Sequence, residues 1–143
     1  MASAEFDSEA AGGGKMRSPR FHGKFAVVTG GASGIGLGIV RGLILEGATV
    51  TIGDFNPATL EEVSQEFGKS VKTLLVDVRS ESDIIELMKL ATSDGPLSIA
   101  CNAAGIGEGA PIYEQELEQW NKVVDICLTG VFLAVKHEAK AML

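Results

Sequence analysis

Cysteine, histidine and tyrosine are scarce in this sequence, and clusters of cations and long apolar runs are missing from it. The two cysteines, Cys101 and Cys127, stand too far apart for a C-x-x-C metal pair, and two histidines, His22 and His137, give zinc few ligands. No metal site is expected, and the thiols read as reduced. Twelve basic residues face 19 acids, for a net charge of -7, with no Lys/Arg cluster. Such a surface repels a polyphosphate backbone, which argues against nucleic acid as a partner. The most apolar stretch, Val123 to Val135, is interrupted by Asp125 and is too short to span a bilayer. Met1 to Arg20 holds no apolar core for a secretory signal, and Glu5, Asp7 and Glu9 are unlike a transit peptide. A cytoplasmic protein is the expectation.

Glycine, by contrast, is abundant, with 18 in 143 residues. Gly12, Gly13 and Gly14, near the Ser18-Pro19 break, fall in a small, polar segment, and residues 1–20 are expected to form a disordered arm. Most of the other glycines punctuate periodic segments, so residues 21–143 are expected to be one domain. Phe25–Thr29 reads as a buried strand, and Gly34–Glu46 as a helix with Ile35, Ile39, Val40 and Leu43 as its apolar stripe and Gly47 as its stop. Ala48–Ile52 is a second strand. Asn56 and Pro57 open a helix carrying Leu60, Val63 and Phe67, which Gly68 closes. Val71–Val76 is a third strand, and a capping box from Ser80 to Asp83 opens a helix with Ile84, Leu87, Met88 and Ala91. Leu97–Cys101 is a fourth strand. A long helix closes the chain from about Glu116, with Trp120, Val124, Cys127 and Val131 on one face and apolar residues on more than one. Trp120 reads as a core anchor.

Strands separated by helices give βαβαβαβα, hence a parallel sheet covered on both faces. Right-handed crossovers leave a doubly wound α/β sheet as the expected topology.

The chemistry centres on the turn after the first strand, Thr29-Gly30-Gly31-Ala32-Ser33-Gly34-Ile35-Gly36. Glycines there let the backbone approach a ligand, and the helix that follows turns its unpaired N–H groups and positive dipole end toward a pyrophosphate. Asp54 closes the next strand, where a carboxylate accepts ribose hydroxyls and repels a 2′-phosphate. No Arg or Lys stands at Ala32, Ser33, Phe55 or Asn56 to offset it. NAD is expected over NADP.

These residues closely resemble the short-chain dehydrogenase/reductase family. Thr29, Gly30, Gly34 and Gly36 match its T-G-x-x-x-G-x-G turn, Asp77-Val78 its mark after the third strand, and Asn102-Ala103-Ala104-Gly105 its N-A-A-G. The resemblance covers Gly23 to Leu143. It implies a Rossmann-like, nicotinamide-dependent oxidoreductase acting between alcohol and ketone. Thr29, Gly30, Ser33, Gly34, Ile35 and Gly36 would then serve the phosphates, and Asp54 with Phe55 the ribose. Asp77 and Val78 would serve the adenine, with Asn102, Ala103 and Gly105 bordering the cofactor.

The resemblance has two gaps. Cys127 stands where the family has an Asn that bends the last helix and supports a proton relay; by residue type alone it reads as a small core filler. The family's Ser and Tyr-x-x-x-Lys are absent, since Tyr113 is the one tyrosine and Leu117 stands four residues on. The resemblance therefore implies a chain that stops after the fourth strand and the long helix and lacks the proton donor. Three expectations follow: an incomplete nucleotide-binding part of an oxidoreductase, a non-catalytic chain pairing with a full-length relative through its last helix, or an aggregating product with an open sheet edge. His22 and His137 are expected at the surface, and Glu114, Glu116 and Glu118 as a solvated helix start.

Overall fold

The computed structural model describes residues 18–107 and 109–143. Most of the expected arm, residues 1–17, lies outside them. Its last residue, Arg20, is anchored: its backbone N–H donates to Glu46 at 2.9 Å and its guanidinium pairs with the same carboxylate at 2.9 Å.

Four parallel strands, β1 (Phe25–Thr29), β2 (Thr49–Asp54), β3 (Val71–Leu75) and β4 (Leu97–Asn102), lie in the order β3-β2-β1-β4. Helices α1 (Gly34–Leu45) and α2 (Pro57–Phe67) cover one face, where Val28, Val40, Val50, Ile52, Leu60 and Val63 are buried together. Helices α3 (Glu81–Ala91) and α5 (Gly130–Met142) cover the other, over Val27, Val76, Ile84, Leu87, Leu133 and Ala134. Alternate residues of β1 thus feed opposite cores, as strand periodicity requires. This is the doubly wound α/β arrangement.

Local signals explain most boundaries. The Asn56 side chain accepts from the N–H groups of Ala58 and Thr59, and Pro57 supplies the first-turn φ of α2. Only half of the capping box at Ser80 forms. Ser80 Oγ accepts from Asp83 N–H at 3.3 Å, but the Asp83 carboxylate turns to the N–H of Asp77 at 3.0 Å instead of that of Ser80. The complete exchange occurs at α4 (Leu117–Val124), where Gln119 Oε1 accepts from Glu116 N–H at 3.3 Å.

Four expectations are corrected. Ile35 is not part of the α1 stripe but 83% exposed, because Gly36, Val40 and Leu43 face the sheet and Ile35 lies a quarter-turn away at the helix mouth. The last helix is not continuous: a π-helical turn, Asp125–Thr129, separates α4 from α5. Trp120 is 53% exposed and anchors no core, since α4 buries none of its residues. Cys127 is exposed too; its thiol donates to the Ile106 carbonyl at 3.6 Å. The helix changes course around Cys127 without the Asn.

Candidate nucleotide-binding site

Crossovers leave β1 toward β2 and reach β4 on its other side, so the chain parts at the carboxyl ends of these neighbouring strands. Such a switch point is where open α/β sheets bind ligands. A cavity of about 580 Å³ opens there.

Its floor is held by backbone in close approach. Gly30, at φ +65°, donates to the Gly53 carbonyl at 2.7 Å, and a Cβ on it would stand 2.6 Å from the backbone of Ala104. A Cβ on Gly36 would collide with the Gly30 carbonyl oxygen, so the first turn of α1 packs directly on the turn before it. At Gly34, where φ is +51°, a Cβ would meet open space. Ser33, the N-cap of α1, makes no capping bond with its side chain, which leaves the first-turn N–H groups to whatever enters the cavity.

Asp54 ends β2 with its carboxylate fixed: Oδ2 accepts from Ala32 N–H at 3.0 Å and Oδ1 from Asn56 N–H at 3.1 Å. A carboxylate so held keeps lone pairs for further donors. Phe55 beside it is exposed and lines the cavity with Asn56. On the β3 side stand Asp77, Val78 and Arg79; the Arg79 guanidinium holds the Asp77 carboxyl below the usual carboxylate range, against a smaller opposing effect of burial. On the β4 side stand Ala103, Ala104, Gly105 and Ile106, with Lys122 and Ile126 from the broken helix.

The structure therefore brings Gly30, Ser33, Gly34, Ile35, Gly36, Asp54, Phe55, Asp77, Val78, Ala103 and Gly105 around one cavity. Thr29 and Asn102 are not on its wall. They lie beneath it, where Thr29 Oγ1 donates to Asn102 Oδ1 at 3.2 Å and Asn102 Nδ2 donates to Glu138 at 3.0 Å. Glu138 is buried. One carboxylate oxygen receives Asn102 and the other, Oε1, has no partner among the described residues; burial pushes this carboxyl up. Burial, and then Glu138, also push up the Cys101 thiol.

A glycine turn in contact with the next strand end, an open helix N-terminus and a fixed carboxylate on β2 form one constellation, and residues 24–143 match the family described as short chain dehydrogenase. The chain belongs to that family. It is 34% identical over 126 residues to the 3-alpha-(or 20-beta)-hydroxysteroid dehydrogenase of Mycobacterium tuberculosis, covering 87% of this chain and 48% of that protein. It is 38% identical over 128 residues to the mitochondrial borneol dehydrogenase of Lavandula x intermedia, with the same coverage. Among solved structures, a 3-ketoacyl-(acyl-carrier-protein) reductase of Brucella melitensis complexed with NADH superposes with a TM-score of 0.81 at 30% identity, over 85% of this chain and 51% of that one. The chain spans about half the length of the curated relatives it matches.

Within this short-chain dehydrogenase half, sequence reasoning missed Arg79, Lys122 and Glu138. Glu138 had a signal, since it follows Gly130 and Ala134 at steps of four on the buried face of α5. Arg79 had a weaker one, a cation two residues after an Asp that follows a strand. Lys122 had none, because the π-turn decides where α4 points. His137, expected as a lone surface residue, is largely covered and bonds Glu81 at 2.8 Å, alongside Lys136 at 2.7 Å. Lys136 first, and His137 after it, hold the Glu81 carboxyl below the usual range. Glu114, Glu116 and Glu118 are exposed around the start of α4. No His/Cys/Asp/Glu group suited to a metal ion occurs among the described residues, and none of their helices is long and apolar enough to cross a membrane.

Proposed function

We propose that this chain is the NAD-binding part of a short-chain oxidoreductase that moves a hydride between nicotinamide and an alcohol or ketone carbon in the cytoplasm. The observation that carries the reading is the Asp54 carboxylate, pinned by two backbone N–H groups at the rim of the cavity that the glycine turn opens. Bound there, the dinucleotide would supply the hydride acceptor or donor. Gly30, Gly34, Gly36 and Ser33 receive the pyrophosphate, with Ile35 against it. Asp54 accepts the ribose hydroxyls beside Phe55, and its charge disfavours a 2′-phosphate. Asp77 and Val78 border the base; Ala103 and Gly105 border the nicotinamide half, steadied from below by Thr29 and Asn102. The family's Tyr-x-x-x-Lys does not occur in these 143 residues, so what they offer by themselves is the cofactor's seat.

Calorimetric titration of NAD tests this, with NADP as competitor and Asp54→Ala as control. Saturable NAD binding, weakened about tenfold or more by the substitution, is expected, since a lost charged hydrogen bond accounts for that much. Tighter binding of NADP, or indifference to the substitution, would overturn the assignment of Asp54.

A second reading, a chain that pairs with a full-length relative, is favoured by one observation. Leu128, Phe132 and Val135 are exposed at helical spacing along the last helix. Pull-down of a full-length relative that fails once Phe132 is replaced by Ser would support it.

A further inference from the structure

Beneath the cavity, a line of polar side chains crosses an otherwise apolar core. Thr29 ends β1 and stands opposite Asn102, the end of β4, in the parallel register. Thr29 Oγ1 donates to Asn102 Oδ1 at 3.2 Å, and Asn102 Nδ2 donates to Glu138 Oε2 at 3.0 Å. Thr29 and Glu138 are buried, and Asn102 is half-buried between them.

A carboxyl is a costly group to place there. The inward face of α5 otherwise carries Leu133 and Ala134, and an apolar side chain at 138 would bury without the desolvation that pushes this carboxyl up. Oε1 has no partner among the described residues, so the bond to Asn102 is the one hydrogen bond that the carboxyl makes with them. What Glu138 does for the site it does through the Asn102 amide.

Asn102 leads straight into the cavity wall of Ala103, Ala104 and Gly105. Ala103 N–H donates to the Thr29 carbonyl at 3.0 Å, and a Cβ on Gly30 would stand 2.6 Å from the backbone of Ala104. Backbones this close leave no slack, so an Asn102 amide turned away from β1 would shift the wall against the glycine turn.

We propose that Glu138 is a positioning residue for the cofactor, a role that rests on the nucleotide reading above. It holds the Asn102 amide with its oxygen toward Thr29, and this seats the Ala103–Gly105 wall against the glycine turn where the nicotinamide half is received. The adenosine end, at Asp54 on β2 and the turn after β3, lies on the other side of β1 and shares none of these bonds.

The test titrates NAD and 5′-AMP, followed by NMR, into the wild-type chain and four variants: Glu138→Leu, Glu138→Gln, Thr29→Val and the double variant Glu138→Leu with Thr29→Val. Glu138→Leu should bind NAD about tenfold more weakly and AMP within about twofold of wild type, since AMP lacks the nicotinamide half. Glu138→Gln, whose amide oxygen still accepts from Asn102, should keep NAD within about twofold. Thr29→Val should repeat the split of Glu138→Leu, and the double variant should lose no more than either single one, because one line of bonds cut twice is still cut once. Equal weakening of NAD and AMP, losses that add in the double variant, or a Gln variant as weak as Leu would reduce Glu138 to a merely structural residue and overturn its role. Unchanged NAD affinity in Glu138→Leu would overturn it too and leave the nucleotide reading standing. If Glu138→Leu does not fold, Thr29→Val decides by the same split of NAD from AMP. If neither nucleotide binds the wild type, both readings fall together.

Discussion

The two outer strands of the sheet are built to different rules. β3 carries Lys72, whose ammonium pairs with Asp94 at 2.6 Å and with Ser93 Oγ at 2.7 Å, so a charge stands on that edge. β4, Leu97–Asn102, has no charged residue, and its Ile99, Ala100 and Cys101 are only partly covered. The helices repeat the contrast. α1 and α2 bury Val40, Leu43, Leu60 and Val63 in a closed core, while the last helix buries Leu133 and Ala134 and leaves Leu128, Phe132 and Val135 to solvent. Charge on an edge strand keeps other strands from pairing with it. β4 lacks that protection and has the composition of a strand with neighbours on both sides. The β3 side of the molecule is finished in itself; the β4 side is surface suited to burial.

Substitutions on the closed side should break the fold. Ile52→Ala removes a fully buried side chain of β2 from the core that α1 and α2 cover, and a loss of roughly 3–4 kcal/mol is expected in denaturant melts. A loss under about 1 kcal/mol would mean that this core is looser than its packing implies. Gly36→Ala forces a Cβ onto the Gly30 carbonyl and should cost about 2–3 kcal/mol while abolishing nucleotide binding. Retained affinity in that variant would contradict the tight seating of α1 on the turn.

The border between the two sides is Glu138. A carboxyl whose folded pKa is raised stays protonated in the folded chain while the unfolded chain ionises, so its stability contribution is present at acid pH and lost as pH rises from the unfolded pKa through the folded one. Glu138→Gln should therefore stabilise the chain at neutral pH by about 1 kcal/mol and flatten the pH dependence of its melting above the unfolded pKa. A wild-type stability that rises with pH across that window would reverse this assignment. On the open side, Phe132→Ser should move the melt by no more than about 0.5 kcal/mol yet lower the sedimentation-average mass if the exposed face drives association. An unchanged mass distribution would remove that face from the comparison.

Where periodicity and punctuation agreed, the sequence was sufficient. β1 and β2 read as short β-rich runs, and Asn56-Pro57 marked the start of α2, because each signal is local and nothing tertiary opposes it. Most of the site was legible for the same reason, as a turn, a strand end and a helix start contiguous in sequence. Ile35 was misplaced in the helix stripe because period alone leaves the phase of a short helix open by one residue. Cys127 and Trp120 were misplaced because one extra residue in a turn rotates everything around it, and composition gives no sign of it. The partnership of Asn102 with Glu138 spans 36 residues and two elements, beyond the reach of any local pattern.

That π-turn also separates two duties, one carried by α4 and one by α5. Each residue advances an α-helix by about 100°, so a single added residue resets the angular address of all that follows. Lys122 and Ile126, in α4 and the turn, look toward the cavity; Leu133, Ala134 and Glu138, after the turn, look toward the sheet. Removing one residue between Asp125 and Thr129 would act like a clutch slipping. The cavity wall and the sheet would each keep their shape, but the helix could no longer serve both at once. Length at this point, more than the identity of Cys127, is what keeps the two duties in phase.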